Sequence, residues 1–227
     1  DPSEAIRLLE SKDPTRVFSR AQVTQERPVA FMFPGVGDHY VQMAQGLYHS
    51  EPVFRQALDD CCRKLHPILG LDLRDLLYPE EAVETKKSVE VDLRQMLGRN
   101  GTTAVDGHLN QTQYAQPAVF AIEYALAQLL QSWEIKPDAL IGYSLGEYVA
   151  ACLAGVFSLD DALMLVARRA QMIQQLPTGS MLAVPMSAEQ IRPYLQNDIC
   201  LAVINGSNSC VLAGPTPALP DPRCEPT

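Results

Sequence analysis

The chain has 227 residues, of which 47% are hydrophobic and 20% are charged, a balance typical of a globular protein. Its 18 Lys and Arg residues are outnumbered by 27 Asp and Glu residues, so the formal net charge is −9. Such a chain repels phosphate groups, which argues against nucleic acid or an anionic membrane as its partner, and no apolar run is long enough to span a bilayer. We therefore predict a cytoplasmic protein with partners in solution.

The first 26 residues are polar and of mixed charge, and they lack an initiator Met and the layout of a signal peptide. We interpret residues 1–26 as a linker from a preceding domain, with a short helix at residues 2–11. The six Cys residues of the chain have no C-x-x-C spacing, which favours reduced thiols over disulfides or a metal site.

A buried strand is predicted at residues 27–33, where strand-forming residues are followed by the turn Pro34-Gly35-Val36-Gly37. Helical periodicity follows at residues 40–47 and again at residues 52–65. Residues 80–107 are charged and weakly periodic, so we interpret them as a surface excursion.

Helices and strands alternate in the next part of the chain. An apolar stripe predicts a helix at residues 113–134, and Ala139-Leu140-Ile141-Gly142 predicts a second buried strand. Further helices are expected at residues 148–155 and 158–176, the second capped by Ser158. Because strands that alternate with helices form parallel β-α-β units, we predict an α/β core at residues 27–178 with a sheet covered on both faces.

Beyond residue 179 the pattern changes to strand, helix, strand, strand. The predicted elements are strands at residues 181–185, 199–204 and 210–213, a helix at residues 188–195 and a hairpin turn at residues 205–208. This order corresponds to the first two thirds of a ferredoxin-like unit, so we expect an incomplete subdomain at residues 179–214. Residues 215–227 contain five Pro residues, which predicts an irregular tail without a helix.

The pentapeptide Gly142-Tyr143-Ser144-Leu145-Gly146 fits the G-x-S-x-G pattern of a nucleophilic serine placed between a strand and a helix. Its glycines permit a sharp turn that exposes the Ser144 hydroxyl at a helix N-terminus, where developing negative charge is favoured. Attack on an acyl group also requires N–H donors for the oxyanion. Leu145 offers one donor, and the turn after the first strand is a candidate for the second.

A base that activates the serine is the third requirement, and it is usually a His. All four His residues lie upstream of Ser144, whereas in hydrolase-type chains the His follows the Ser. His39 stays a candidate because it lies beside the turn after the first strand. We interpret the others as surface or helix residues: His49, His66 and His108.

Three motifs occur in order along the chain: Phe33-Pro34-Gly35-Val36-Gly37, Gln111-Thr112-Gln113-Tyr114-Ala115-Gln116-Pro117-Ala118, and Gly142-Tyr143-Ser144-Leu145-Gly146-Glu147-Tyr148. Together they resemble the acyltransferase domains of modular type I polyketide synthases, which are relatives of the malonyl-CoA:acyl carrier protein transacylases. The resemblance spans about residues 15–214. It implies an α/β-hydrolase-like core with an inserted ferredoxin-like subdomain.

The resemblance also implies a reaction in which a Ser takes an acyl group from coenzyme A and passes it to the phosphopantetheine thiol of an acyl carrier protein. It implies an acyl-CoA substrate, no permanently bound cofactor, and a ketosynthase domain in the same polypeptide. The motif matches assign the nucleophile to Ser144 and the oxyanion donors to the N–H groups of Val36 and Leu145. Gln116 matches a glutamine that lines the active site. Arg169 matches the arginine that binds the free carboxylate of malonyl-type substrates, a group suited to a bidentate guanidinium.

Two positions depart from the family pattern: Tyr143 stands where the family usually has His, and Val36 where it usually has Gln. Val36 still offers its backbone N–H, whereas Tyr143 alters the shape and polarity of the substrate pocket. The resemblance assigns the base to a His downstream of the inserted subdomain, and no residue here matches it. We therefore expect a C-terminally truncated domain that is inactive without sequence beyond residue 227.

The residue after the nucleophile bears on the substrate. The aliphatic Leu145 resembles the malonyl-selective pattern, so malonyl-CoA is favoured over methylmalonyl-CoA. Two other functions stay open at this point: a serine esterase of the α/β-hydrolase class, and a catalytically incomplete domain that docks a ketosynthase or a carrier protein. Ester hydrolysis by an esterase would be unaffected by Arg169→Ala. Binding of a carrier protein by a docking domain would be unaffected by Ser144→Ala.

Overall fold

The computed structural model describes residues 2–12, 16–17, 27–37, 39–79, 104–195 and 198–219. Most of the predicted surface excursion and of the predicted tail, and half of the predicted linker, therefore lie outside the described residues. The short helix predicted near the N-terminus is present as α1 (Pro2–Ser11). The rest is a mixed α/β fold with one parallel and one antiparallel sheet.

The parallel sheet pairs β1 (Ala30–Phe33) with β2 (Ala139–Gly142). Side chains alternate between the two faces of a strand, so Phe31 points into the core whereas Met32 and Ile141 lie on the opposite face. Met32 is 73% exposed and Ile141 is 53% exposed. The prediction of a sheet covered on both faces is thus wrong for the described residues, because all the helices that pack on this sheet lie on one side.

Helices connect and cover the two strands. In the described residues between β1 and β2 they are α2 (Gln45–Ser50), α3 (Pro52–Leu69), α4 (Leu73–Leu77), α5 (Ala104–Leu109) and α6 (Thr112–Ser132). After β2 come α7 (Gly146–Leu153) and α8 (Leu159–Gln174). The apolar faces of α3, α6 and α8 pack together, and α6 is buried over most of its length because it is apolar on nearly every side.

Several helix boundaries differ from the predicted ones for local reasons. The helix predicted at residues 40–47 begins only at Gln45, because Gln42 and Ala44 adopt positive φ angles of 70° and 57° in the turns before it. Helix α3 continues beyond residue 65 to Leu69, where Gly70 ends it with a φ of 75° and an N–H bond to the carbonyl oxygen of His66 at 2.9 Å. The sequence pattern missed α4 because only five residues form it.

The start of α8 agrees with the predicted cap. The Ser158 hydroxyl accepts a hydrogen bond from the Asp161 N–H at 3.1 Å and donates one to the Asp161 carboxylate at 2.6 Å.

A smaller antiparallel sheet follows α8. Its strands are β3 (Ser180–Val184), β4 (Cys200–Gly206) and β5 (Ser209–Gly214), in the order β3-β5-β4. One face of this sheet packs on α9 (Ala188–Ile191) around a small core of Ile191, Cys210 and Leu212. The prediction that the tail contains no helix is wrong at one place, because Thr216–Ala218 form a 3₁₀ turn. Pro217 fits this turn because the N–H groups of the first residues of a helical turn have no partner within it. Among the described helices, none has the length and apolar character needed to cross a membrane.

Candidate active site

Ser144 lies between β2 and α7 in a strained backbone conformation. Its φ angle is 53°, in the left-handed region that costs a residue with a side chain about 1–3 kcal/mol. The Ser144 side chain is exposed at the point where α7 begins. Strain of this kind persists when the surrounding structure imposes it, and here it holds a hydroxyl out of the core.

The two glycines of the pentapeptide explain how the turn is imposed. A Cβ atom on Gly146 would lie 2.1 Å from the carbonyl oxygen of Phe33, and one on Gly142 would lie 2.2 Å from the Glu147 nitrogen. Both distances are far below van der Waals contact. The start of α7 is therefore packed directly against the end of β1 at Gly146 and against the end of β2 at Gly142, and a side chain at either position would push α7 away.

The turn after β1 lies next to Ser144. The Tyr143 N–H donates to the Phe33 carbonyl oxygen at 2.9 Å, and a Cβ atom on Gly35 would lie 3.2 Å from the Ser144 Cβ. Within the described part of the chain, neither the N–H of Val36 nor that of Leu145 donates a hydrogen bond. Both predicted oxyanion donors therefore stay available, one in the residue after Ser144 and the other in the turn that adjoins it.

Arg169, Gln116 and Tyr148 form a cluster at the start of α7. The Arg169 guanidinium donates a hydrogen bond from Nη1 to Gln116 Oε1, and its Cζ lies 5.6 Å from the centroid of the Tyr148 ring. Gln116 is only 6% exposed, whereas Arg169 and Tyr148 are half-buried. The structure therefore brings two of the predicted site residues into direct contact and adds Tyr148, whose ring lies one helical turn beyond Ser144.

Sequence analysis does not single out Tyr148 as a site residue, although it belongs to the third motif. Its contact with Arg169 joins α7 to α8, and nothing in the local pattern of either helix reveals such a pairing. The one available signal is its spacing from the nucleophile, because residues separated by one helical turn share a face.

Tyr143 points toward the smaller sheet. Its side chain is 54% exposed, and its hydroxyl donates to Asn205 Oδ1 over 3.5 Å, at the end of β4. Tyr143, one of the two residues that depart from the family pattern, therefore bridges the serine turn and the β4–β5 hairpin.

His39, the candidate base, has both ring nitrogens buried, and neither has a hydrogen-bond partner among the described residues. A histidine that serves as a base for a serine would hydrogen-bond its hydroxyl, so this geometry does not favour His39. Glu123 is the other buried group without a partner: burial raises the pKa of its carboxyl to about 8. It lies on α6 two turns after Gln116 and forms no part of the cluster around Arg169.

A polar network between α3 and α4 lines a cavity of about 380 Å³. Arg74 pairs with Asp59 at 2.7 Å and with Asp72 at 2.5 Å, and the Arg74 hydrogen bonds lower the pKa of the Asp72 carboxyl. These charges satisfy one another, so we interpret the network as a structural link. Across the described ranges, no group of three or more His, Cys, Asp or Glu residues is arranged to hold a metal ion.

Comparison with known proteins gives consistent results. A family model described as the acyl transferase domain matches residues 30–221. The chain is 36% identical over 195 residues to one component of the phenolphthiocerol/phthiocerol polyketide synthase of Mycobacterium tuberculosis, a match that covers 86% of this chain and 11% of that protein.

Solved structures give the same result. The acyl transferase domain of ZmaA superimposes with a TM-score of 0.77 at 38% identity, covering 95% of this chain and 47% of that one. The acyl transferase domain of SpnD in complex with 2-(pent-4-yn-1-yl)malonyl does so with a TM-score of 0.73 at 36% identity, covering 95% and 45%. The chain thus spans slightly less than half of each solved chain and a small part of the curated synthase.

Proposed function

The chain belongs to the acyl transferase domain family, and from this premise we propose that it is the acyltransferase part of a polyketide synthase. It moves a malonyl-type acyl group from coenzyme A to an acyl carrier protein. One observation carries this proposal: Ser144 is exposed on a strained turn next to the turn after β1, and the N–H groups of Val36 and Leu145 have no partner among the described residues.

The proposed reaction has two steps with an ester intermediate. The Ser144 oxygen attacks the thioester carbonyl carbon of the acyl-CoA, the C–S bond breaks, and the thiol of coenzyme A leaves with a proton. The phosphopantetheine thiol of the carrier protein then attacks the ester and regenerates the Ser144 hydroxyl. In each step the N–H groups of Val36 and Leu145 stabilise the negative oxygen of the tetrahedral intermediate.

We assign substrate selection to Arg169, whose guanidinium has further N–H donors beyond the one that Gln116 accepts. Among the described residues, no Asp or Glu forms an ion pair with it. A free carboxylate on the acyl group is a suitable partner for this cation. The malonyl derivative named in the SpnD complex supports a malonyl-type substrate, and Leu145 favours malonyl over methylmalonyl.

The remaining parts of the proposal concern organisation. We propose a linker at residues 1–26, a hydrolase-like core at residues 27–178, a partial ferredoxin-like subdomain at residues 179–214 and a tail at residues 215–227. The β3-β5-β4 order of the smaller sheet supports the third of these. The proposed partners are an acyl carrier protein and a ketosynthase domain of the same cytoplasmic polypeptide.

Kinetics of acyl transfer in the intact synthase test the proposal. Ser144→Ala should abolish loading from every acyl-CoA. Arg169→Ala should lower kcat/KM for malonyl-CoA about 100-fold while acetyl-CoA changes little, because only malonyl loses a charge-assisted hydrogen-bonded pair. Arg168→Ala is the matched control, since Arg168 is exposed on the same helix and its side chain donates a hydrogen bond to Gln171 at 3.3 Å.

Three results would contradict the assignment. Equal losses of kcat/KM for malonyl-CoA and acetyl-CoA in Arg169→Ala would contradict the role of the arginine in substrate selection. Hydrolysis of simple esters that is indifferent to Arg169 would indicate an esterase. Carrier-protein binding without any acyl transfer, unaffected by Ser144→Ala, would indicate a docking domain.

A further inference from the structure

The orientation of the Arg169 side chain is fixed by contacts from two other helices. Gln116 on α6 accepts a hydrogen bond from one end of the guanidinium, and the guanidinium Cζ lies over the face of the Tyr148 ring on α7, 5.6 Å from its centroid. An unrestrained arginine side chain loses rotamer entropy when it is ordered for binding. Two contacts made before any substrate arrives reduce that cost.

The two contacts act differently. The hydrogen bond with Gln116 fixes one nitrogen but leaves the plane of the guanidinium free to turn about it. The Tyr148 ring restrains the guanidinium at a second point, because an aromatic face attracts a cation that lies within about 6 Å of its centroid. Donors at the edge of the guanidinium, away from Gln116, then stay available for a carboxylate.

Tyr148 also connects the guanidinium to the nucleophile. Its N–H donates to the Leu145 carbonyl oxygen at 3.0 Å, in the helical turn that follows Ser144. Tyr148 therefore belongs to the turn that follows the serine, and its ring joins Arg169 to the element that carries the attacking oxygen.

We propose that Tyr148 is a positioning residue that orients Arg169, so that acyl groups bearing a free carboxylate are selected at Ser144. This inference rests on the proposed acyltransferase function. It assigns to Tyr148 a role in substrate selection through Arg169, without contact between the tyrosine and the reacting atoms.

Two substitutions separate this role from simple packing, because the Tyr148 side chain also contacts the hydrophobic core. Tyr148→Phe keeps the ring and removes only a hydroxyl. Tyr148→Leu keeps an apolar side chain and removes the aromatic face. Substituting a residue that only fills space should change kcat/KM similarly for all substrates. Substituting a positioning residue should lower kcat/KM more for malonyl-CoA than for acetyl-CoA.

The experiment measures acyl-enzyme formation in the intact synthase with malonyl-CoA and with acetyl-CoA. Tyr148→Leu should lower kcat/KM for malonyl-CoA about 3- to 30-fold, mainly through KM, and leave acetyl-CoA within about twofold. Tyr148→Phe should keep the wild-type kcat/KM for both malonyl-CoA and acetyl-CoA. Equal losses for the two substrates, or an unchanged value for malonyl-CoA, would overturn the inference.

A second measurement does not depend on acyl transfer. Phenylglyoxal modifies accessible guanidinium groups, and peptide mapping reports the rate at Arg169. This rate should rise severalfold in Tyr148→Leu and stay unchanged in Tyr148→Phe; an unchanged rate in both variants would overturn the inference. If wild-type synthase loads no malonyl group while this rate responds as expected, the proposed function fails and the contact of Tyr148 with Arg169 stands.

Discussion

The nucleophile at the site is held in place by two neighbours that lack side chains. Ser144 keeps a φ of 53° because Gly142 and Gly146 allow the chain to turn between β2 and α7 within contact distance of β1. The pattern G-x-S-x-G predicts this turn, since few residue sequences permit it. The partners of Arg169 could not be predicted in the same way, because they lie on helices far apart in the sequence.

Glu123 gives a prediction about pH at the scale of one residue. Burial raises the pKa of its carboxyl from 4.5 to about 8, so the folded chain holds this proton more tightly than the unfolded chain does. The resulting stabilisation is complete below pH 4.5 and is lost as the pH rises toward 8. The free energy of unfolding should therefore fall across this range.

Glu123→Gln removes the titration, so the variant should gain stability relative to wild type as the pH rises. By pH 8 the gain should be on the order of 3 kcal/mol, measured by urea unfolding of the purified chain. Glu134→Gln, at an exposed position just beyond α6, is the control. A difference between wild type and Glu123→Gln that does not vary with pH would contradict the assignment of a buried neutral carboxyl.

At the scale of elements, the contact between the start of α7 and the end of β1 determines the geometry of the site. It brings the turn that carries Val36 next to Ser144, and it depends on the absence of a side chain at Gly146. Strand positions and α8 could be predicted well, because their apolar patterns and the Ser158 cap are local. The start of α2 could not, because positive φ angles at Gln42 and Ala44 carry no clear sequence signal.

Gly146→Ala tests the importance of this contact. Its Cβ would lie 2.1 Å from the Phe33 carbonyl oxygen, so α7 and β1 must separate. We expect a loss of about 2–4 kcal/mol in the free energy of unfolding, by urea titration, together with loss of acyl loading.

Gly46→Ala is the matched control, because Gly46 is exposed in α2 and its added Cβ would meet no atom within 4 Å. This change should be neutral or stabilise the chain by up to about 1 kcal/mol, since Ala is the better helix former. If Gly146→Ala were equally well tolerated, the direct packing of α7 on β1 would be wrong.

At the scale of the whole molecule, the order of the strands and long helices was predictable, whereas the short helices α4 and α5 and the coverage of the parallel sheet were not. Parallel sheets are usually buried on both faces, yet Met32 and Ile141 are exposed in the described residues. The sequence of a short strand does not show which side chains are buried when the residues on both faces are apolar, as in Ala-Phe-Met-Phe. Only the positions of the packed helices distinguish the two faces.

The central claim is that this fold presents Ser144 as the residue that carries the acyl group. Mass spectrometry of the intact synthase after a brief incubation with malonyl-CoA, without carrier protein, tests it most directly. The account predicts a malonyl adduct on the peptide that contains Ser144, absent from Ser144→Ala. A malonyl adduct that persists in Ser144→Ala, or no adduct in the folded wild-type synthase, would contradict it.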